Sequence, residues 1–252
     1  RDRRMFNASD RLPVVIEMIV AETAEQRQAA LDELLPLQRK DFRELFEEMA
    51  PHPVTIRLLD PPIHEFLPDE HQLEQELQDL QVLAMSTRGM TALSGTMGLL
   101  HTPDKTRSDF DDLRRLVDPI MVEEAIVKKE AVLKKVRSLH ETNPMLGHRG
   151  VRLGIAFPEI YQMQIRAILE AAAECAKAGI EVQPQIKVPQ VCTVEELKVV
   201  KVYVDDLRQQ VEADYGQPVN FKFGTMIEVV RACMRAESLA HEAEFFSFGT
   251  ND

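Results

Sequence analysis

Between positions 151 and 248, apolar β-prone runs alternate with helical stretches, and no other feature restricts the fold as strongly. The spacing predicts a strand over 151–157 and a helix over 158–178, which Pro158 opens and Gly179 ends. Tyr161, Ile165, Leu169 and Ala172 share one face of that helix. A strand follows over 182–188 with Pro184 at its start. Thr193-Val-Glu-Glu196 is a capping box that opens a helix to about position 213. Then come a strand over 221–229, a helix over 231–241 and a strand over 245–248. Strands joined through helices run parallel, because each crossover carries the chain back to the same end of the sheet. The expectation is an α/β fold.

The first half adds one more strand. Thr23-Ala-Glu-Gln26 reads as a capping box, with Leu31, Leu34 and Leu35 on one helical face. Pro36 is expected to interrupt that helix, and a second stretch carries Phe42, Leu45, Phe46 and Met49. A strand at 54–58 follows. Ile126, Leu133 and Val136 fall at helical spacing over 120–139. Between them, about 84–119 is rich in Gly, Ser and Thr, and we expect an insertion with one or two short helices. Five strands fall short of the eight that close a (β/α)8 barrel, so the expectation is an incomplete TIM-barrel-type domain over 1–252.

Charge and cysteines narrow the setting. A formal net charge of -12 argues against nucleic acid or an anionic membrane surface as partner, and sets an anionic substrate in need of a local basic pocket. Cys175, Cys192 and Cys233 are odd in number and lack metal-ligand spacing, which suits a reducing compartment, the cytoplasm. None of the three falls on a predicted site edge, so structural roles are expected. No apolar run nears the roughly 18 residues of a membrane span. The abrupt start at Arg1 and the stop at Asp252 suggest a piece of a longer protein.

The chemistry gathers at strand ends. Arg57 stands where its strand ends, followed by Asp60 and the rigid Pro61-Pro62 turn. A guanidinium and a carboxylate on a stiff loop there occupy the edge where parallel barrels carry their active sites. Alone, the same residues would be an ordinary surface ion pair. Glu228 ends the 221–229 strand, and Gly249, Thr250, Asn251 and Asp252 follow the last one. Glu228 and Asp252 form a pair of hard oxygen ligands suited to Mg²⁺. Helix-start and helix-cap roles are the alternative for these residues taken singly. Asn143-Pro-Met-Leu-Gly-His-Arg-Gly150 adds Arg149 beside two glycines, with His148 as a possible hydrogen-bond donor.

The runs TIRLLDPPIHEFLP, NPMLGHRG, GTMIE and EAEFFSFGTND, in that order, resemble the phosphoenolpyruvate-binding barrel of the pyruvate, phosphate dikinase family. FFSFGTND is shared with phosphoenolpyruvate synthase and with enzyme I of the sugar phosphotransferase system, whereas LDPPIHEFLP marks the dikinase branch. The resemblance implies roughly strands 3–7 of a (β/α)8 barrel, with the 84–119 segment longer than usual. It implies conversion of ATP, phosphate and pyruvate to AMP, diphosphate and phosphoenolpyruvate, the phosphoryl group arriving on a histidine of a separate domain of the same polypeptide. A homodimer is expected of the full-length enzyme.

By position, Glu228 and Asp252 resemble the Mg²⁺ ligands, and Gly249, Thr250 and Asn251 the residues that hold the substrate carboxylate. Arg57 resembles the arginine that meets the transferring phosphoryl group, Arg149 a second basic contributor, and Arg1 the arginine of an R-T-E-H-M-F motif. Here that motif is Arg1-Asp-Arg-Arg-Met-Phe6, and Gln185 and Gln190 stand where glutamate and leucine are usual. The cysteine acid that protonates the enolate carbon in the family is expected beyond Asp252, so no catalytic acid is assigned within the chain. Two alternatives remain open. One is a non-catalytic binding module derived from the barrel; the other is a phosphoenolpyruvate synthase or enzyme I relative.

Overall fold

The computed structural model describes residues 11–21, 23–60, 66, 68–97, 118–138 and 147–249. The chain divides into two compact units, one made of 1–66 and 141–252, the other of 67–140.

The larger unit carries a curled sheet of four parallel strands, a half-barrel. In chain order its elements are α1 (Leu12–Val20), α2 (Ala24–Met49) and β1 (Pro53–Arg57), then α5 (Val151–Ala156), α6 (Pro158–Lys177) and β2 (Gln183–Val188). They are followed by α7 (Val194–Tyr215), β3 (Lys222–Ile227), α8 (Val230–Met234), α9 (Ala236–Ala240) and β4 (Phe245–Phe248). The strands lie in sequence order, β1-β2-β3-β4. Arg57 pairs in register with Lys187, Lys187 with Gly224, and Gly224 with Phe245. Val54, Ile56, Ile186, Val188, Phe223 and Ile227 are buried on the face that meets the helices, as the two-residue period of a strand requires.

The helix α6 organises the helical layer against α2 and α7. Its run Ala171-Ala172-Ala173 is buried, and α2 packs on α6 with Leu31, Leu34, Phe42 and Phe46 nearly inaccessible. Removing a leucine or phenylalanine of this kind from water contributes about 1.5–3 kcal/mol each. Charges line the seam: Arg27 meets Glu159 at 2.6 Å, and the buried Glu170 is held by Arg39 at 2.9 Å and Arg166 at 2.8 Å.

In the smaller unit, α3 (Glu70–Met97) and α4 (Pro119–Ser138) pack on each other through Leu73, Thr87, Val122, Ile126 and Leu133. Arg137 reaches Glu70 at 2.8 Å and also Glu74, while Arg88 pairs with Glu123 and Lys129 with Glu76.

Four expectations change. The 151–157 run is helix α5, not a strand, so the described sheet has four strands rather than five. A short apolar run cannot fix its own period, and here Gly154 decides it. That glycine lies under the Tyr161 ring, where a Cβ would meet Cδ2 at 2.3 Å. Pro36 does not interrupt its helix, since α2 runs through it with the proline on the exposed side. The predicted helix over 231–241 is split at Arg235 into α8 and α9. Helix α3 also continues to Met97, through residues where poor regular structure is expected; 98–117 lie outside the described residues.

Candidate functional site

The described chemistry-bearing residues gather at the C-terminal edge of the sheet: Arg57 ends β1, Asp60 and Glu228 follow β1 and β3, and Arg149 lies in the turn before α5. Asp60, three residues beyond β1, is 1 % exposed. Such a carboxylate is costly to bury unless paired, and two guanidiniums pair it. Arg57 Nη1 lies 3.1 Å from Oδ2, and Arg149 reaches Oδ2 with Nη2 at 2.7 Å and Oδ1 with Nε at 3.3 Å. Asp60 thus fixes both arginines, although one sits 89 residues further along the chain.

The loop around Asp60 is itself anchored in the core. Gln164 of α6 accepts the Leu59 N–H at 2.8 Å, and the Tyr161 hydroxyl donates to the Leu59 carbonyl at 3.0 Å. Both partners are buried, so these bonds satisfy backbone groups that water cannot reach. Arg57 retains a third of its side-chain exposure while its Nη1 is tied to Asp60.

The turn before α5 joins the next two strand ends. Gly150 adopts φ 58°, ψ −133°, and a Cβ there would meet Gln190 Cβ at 2.7 Å. Only glycine occupies that combination of angle and space without strain. Its N–H donates to the Asp60 carbonyl at 3.2 Å, and the Val151 N–H to the Pro189 carbonyl at 3.2 Å. Gln190, after β2, has φ 60°, a left-handed conformation rare for a residue with a side chain. Its N–H donates to Glu228 Oε1 at 2.7 Å. Three successive strand ends and the 147–150 turn are therefore linked through Asp60, Gly150, Gln190 and Glu228.

Of the residues expected at a site, Arg57, Arg149 and Glu228 are brought to this edge. Gly249 continues the last strand pair, its N–H donating to the Ile227 carbonyl at 3.1 Å. Arg1, Thr250, Asn251 and Asp252 lie outside the described residues. His148 sits beside the Phe157 ring, with Nε2 3.2 Å from the Arg152 carbonyl. Among the described residues no group of three or more His, Cys, Asp or Glu is arranged around a common metal position. Glu228 supplies one carboxylate, a hard oxygen donor of the kind Mg²⁺ takes.

One expectation about cysteine changes. Cys192 does lie at this edge, on the loop after β2, with its N–H donating to Glu196 at 2.7 Å and its Sγ 3.7 Å from the Gln190 carbonyl. Burial and the nearby Glu196 carboxylate push its thiol pKa up, away from thiolate character. Cys175 is buried and Cys233 exposed, and neither is bonded to another cysteine.

Nothing local marks Lys187, but its register opposite Arg57 puts it on the same side of the sheet.

Comparison with known proteins adds a family. The pattern described as "PEP-utilising enzyme, PEP-binding domain" matches residues 1–252. The chain is 46% identical over 253 residues to a pyruvate, phosphate dikinase of Entamoeba histolytica, covering all of this chain and 24% of that protein. It is 43% identical to pyruvate, phosphate dikinase 1, chloroplastic, of Arabidopsis thaliana, covering 22% of it. It is 38% identical to a pyruvate, phosphate dikinase of Rickettsia prowazekii, covering 24%. The chain thus spans about a quarter of the length of the curated relatives it matches.

Proposed function

This chain belongs to the PEP-utilising enzymes, matching their PEP-binding domain, and we propose that it is the phosphoenolpyruvate- and pyruvate-binding part of a pyruvate, phosphate dikinase. In this reading residues 1–252 form one incomplete (β/α)8 barrel domain with an insertion at about 84–119. A phosphohistidine carried by another domain of the same polypeptide would deliver the phosphoryl group, in a cytoplasmic homodimer. One observation carries the reading: Arg57 and Arg149 converge on the buried Asp60 at the C-terminal edge of a parallel half-barrel, with Glu228 at the next strand end but one.

Phosphoryl transfer needs charge neutralisation and in-line placement more than covalent help. Arg57, tied to Asp60 through Nη1 and a third exposed, would meet the transferring phosphoryl oxygens, and Arg149 would raise the local positive potential. Gly249, Thr250 and Asn251 would hold the carboxylate, and Arg1 would close the rim. Glu228 and Asp252 would hold magnesium, which when bound neutralises developing charge on the substrate oxygens. The full-length enzyme would then convert ATP, phosphate and pyruvate to AMP, diphosphate and phosphoenolpyruvate.

Glu228→Gln tests this cleanly. The amide oxygen still accepts the Gln190 N–H, so the loop keeps its anchor while the anion is lost. Calorimetry on the full-length protein should show Mg²⁺-dependent phosphoenolpyruvate affinity abolished in the variant. Unchanged metal-dependent affinity would remove Glu228 from the site.

A further inference from the structure

We propose that Lys187 is a further substrate-contacting residue of this site, a second cation that meets the phosphoryl group beside Arg57. The inference rests on the function proposed above and adds a residue to it.

Lys187 and Arg57 are register partners on neighbouring parallel strands, so their Cα atoms sit about 4.8 Å apart and their side chains leave the sheet on one side. That side is the inner face, away from the helices. Thr55 and Gln185, one step earlier on the same strands, confirm the shared face, because the Thr55 hydroxyl donates to Gln185 Oε1 at 2.7 Å. Ile186 and Val188, of opposite parity, are wholly buried toward the helices.

The composition of this inner face is the second observation. The chain holds 42 acidic residues against 30 basic ones. Yet none of the four strands, PVTIR, QPQIKV, KFGTMI and FFSF, contains an Asp or Glu. On the inner face they place Arg57, Lys187 and, at the opposite end, Lys222. In an acidic protein, every charged side chain that the four strands place on this face is thus cationic, and the carboxylates Asp60 and Glu228 come only past the strand ends.

The third observation is the setting of the ammonium. The next register position after Lys187 is Gly224, and the room over that glycine is filled by Phe245, whose ring would meet a Cβ there at 2.6 Å. Across the face the row therefore runs from guanidinium to ammonium to aromatic ring. Like charges directly opposite in a sheet repel, and a low-dielectric wall on one side strengthens the effect. A multiply charged anion lying over both positions turns that repulsion into attraction for the anion. Phosphoenolpyruvate brings such a group and pyruvate does not, so Lys187 should discriminate between them.

The test compares two ligands in the full-length protein with Mg²⁺ present. By calorimetry, Lys187→Met should weaken phosphoenolpyruvate about tenfold or more, the scale of one charge-assisted hydrogen bond. Oxalate, a pyruvate-like dicarboxylate without a phosphoryl group, should bind within about twofold of the unmodified protein. Lys187→Arg, which keeps the charge, should recover most of the phosphoenolpyruvate affinity. Equal losses for both ligands, or no loss for either, would overturn the proposal while leaving the function reading intact. An unmodified protein that binds neither ligand would instead overturn the function reading, and this one with it.

Discussion

Asp60 does at the scale of one residue what the whole edge depends on. Its carboxylate is 1 % exposed, and Arg57 and Arg149 both converge on Oδ2. Arg149 pairs with Asp60 through Nε and Nη2 and keeps 15 % of its side-chain exposure, whereas Arg57 pairs with it through Nη1 and keeps 34 %. A planar guanidinium can divide its nitrogens between a carboxylate and phosphate oxygens, and a lysine has no second branch to divide in this way. In the full-length protein, Arg57→Lys should lower turnover roughly tenfold to a thousandfold, the range seen on removing one preorganised charge stabiliser. Steady-state rates of phosphoenolpyruvate formation measure it. Near-normal turnover would reduce Arg57 to a structural partner of Asp60.

Among the elements, α2 shows packing overriding local preference. Proline inside a helix removes one backbone bond and crowds the preceding turn, at about 3 kcal/mol. Helix α2 nevertheless runs unbroken from Ala24 to Met49, because Leu31 and Leu34 before Pro36 and Phe42 and Phe46 after it are buried on the same face. Since Pro36 itself is exposed, Pro36→Ala should raise stability, by about 1–2 kcal/mol after the looser unfolded chain is counted. Urea denaturation of the protein reads this directly, and a destabilised variant would mean the proline shapes the α2 packing. The same elements show what the sequence made legible. Strands β2, β3 and β4, the Thr193 capping box and the helix end at Gly179 are local signals, and each is found where chain chemistry points. Helix α5 was hidden because its period is set by Tyr161 packing over Gly154, a contact made only after folding. The Arg57–Asp60 pair is legible from a three-residue spacing, but the share Arg149 takes in it spans 89 residues and has no local trace. Lys187 needs the β1–β2 register before it means anything.

For the molecule as a whole, the two units differ sharply in what holds them. The half-barrel unit buries a continuous core on α2, α5, α6, α7 and the sheet, including Tyr161, Phe42, Phe46 and Leu153 at 2 % exposure or less. The 67–140 unit, among its described residues, buries Leu73, Thr87, Val122, Ile126 and Leu133 between two helices, while Val82, Met85, Leu93, Ile120, Met121 and Val127 remain exposed. Its cross-helix ion pairs join side chains that are a third or more exposed, and pairs of that kind contribute little. Local opening free energy follows buried apolar contact, so the units should open separately. In native-state hydrogen exchange, amides in the middle of α3 and α4 should exchange on the order of a hundredfold faster than those in the middle of α6 and β2. This outcome would also support the proposed insertion at about 84–119, which falls within that unit, since an inserted segment unfolds without disturbing the sheet that hosts it. Protection equal to that of α6 would mean that the helix pair and the half-barrel fold as one cooperative body, and the insertion reading would fall with it.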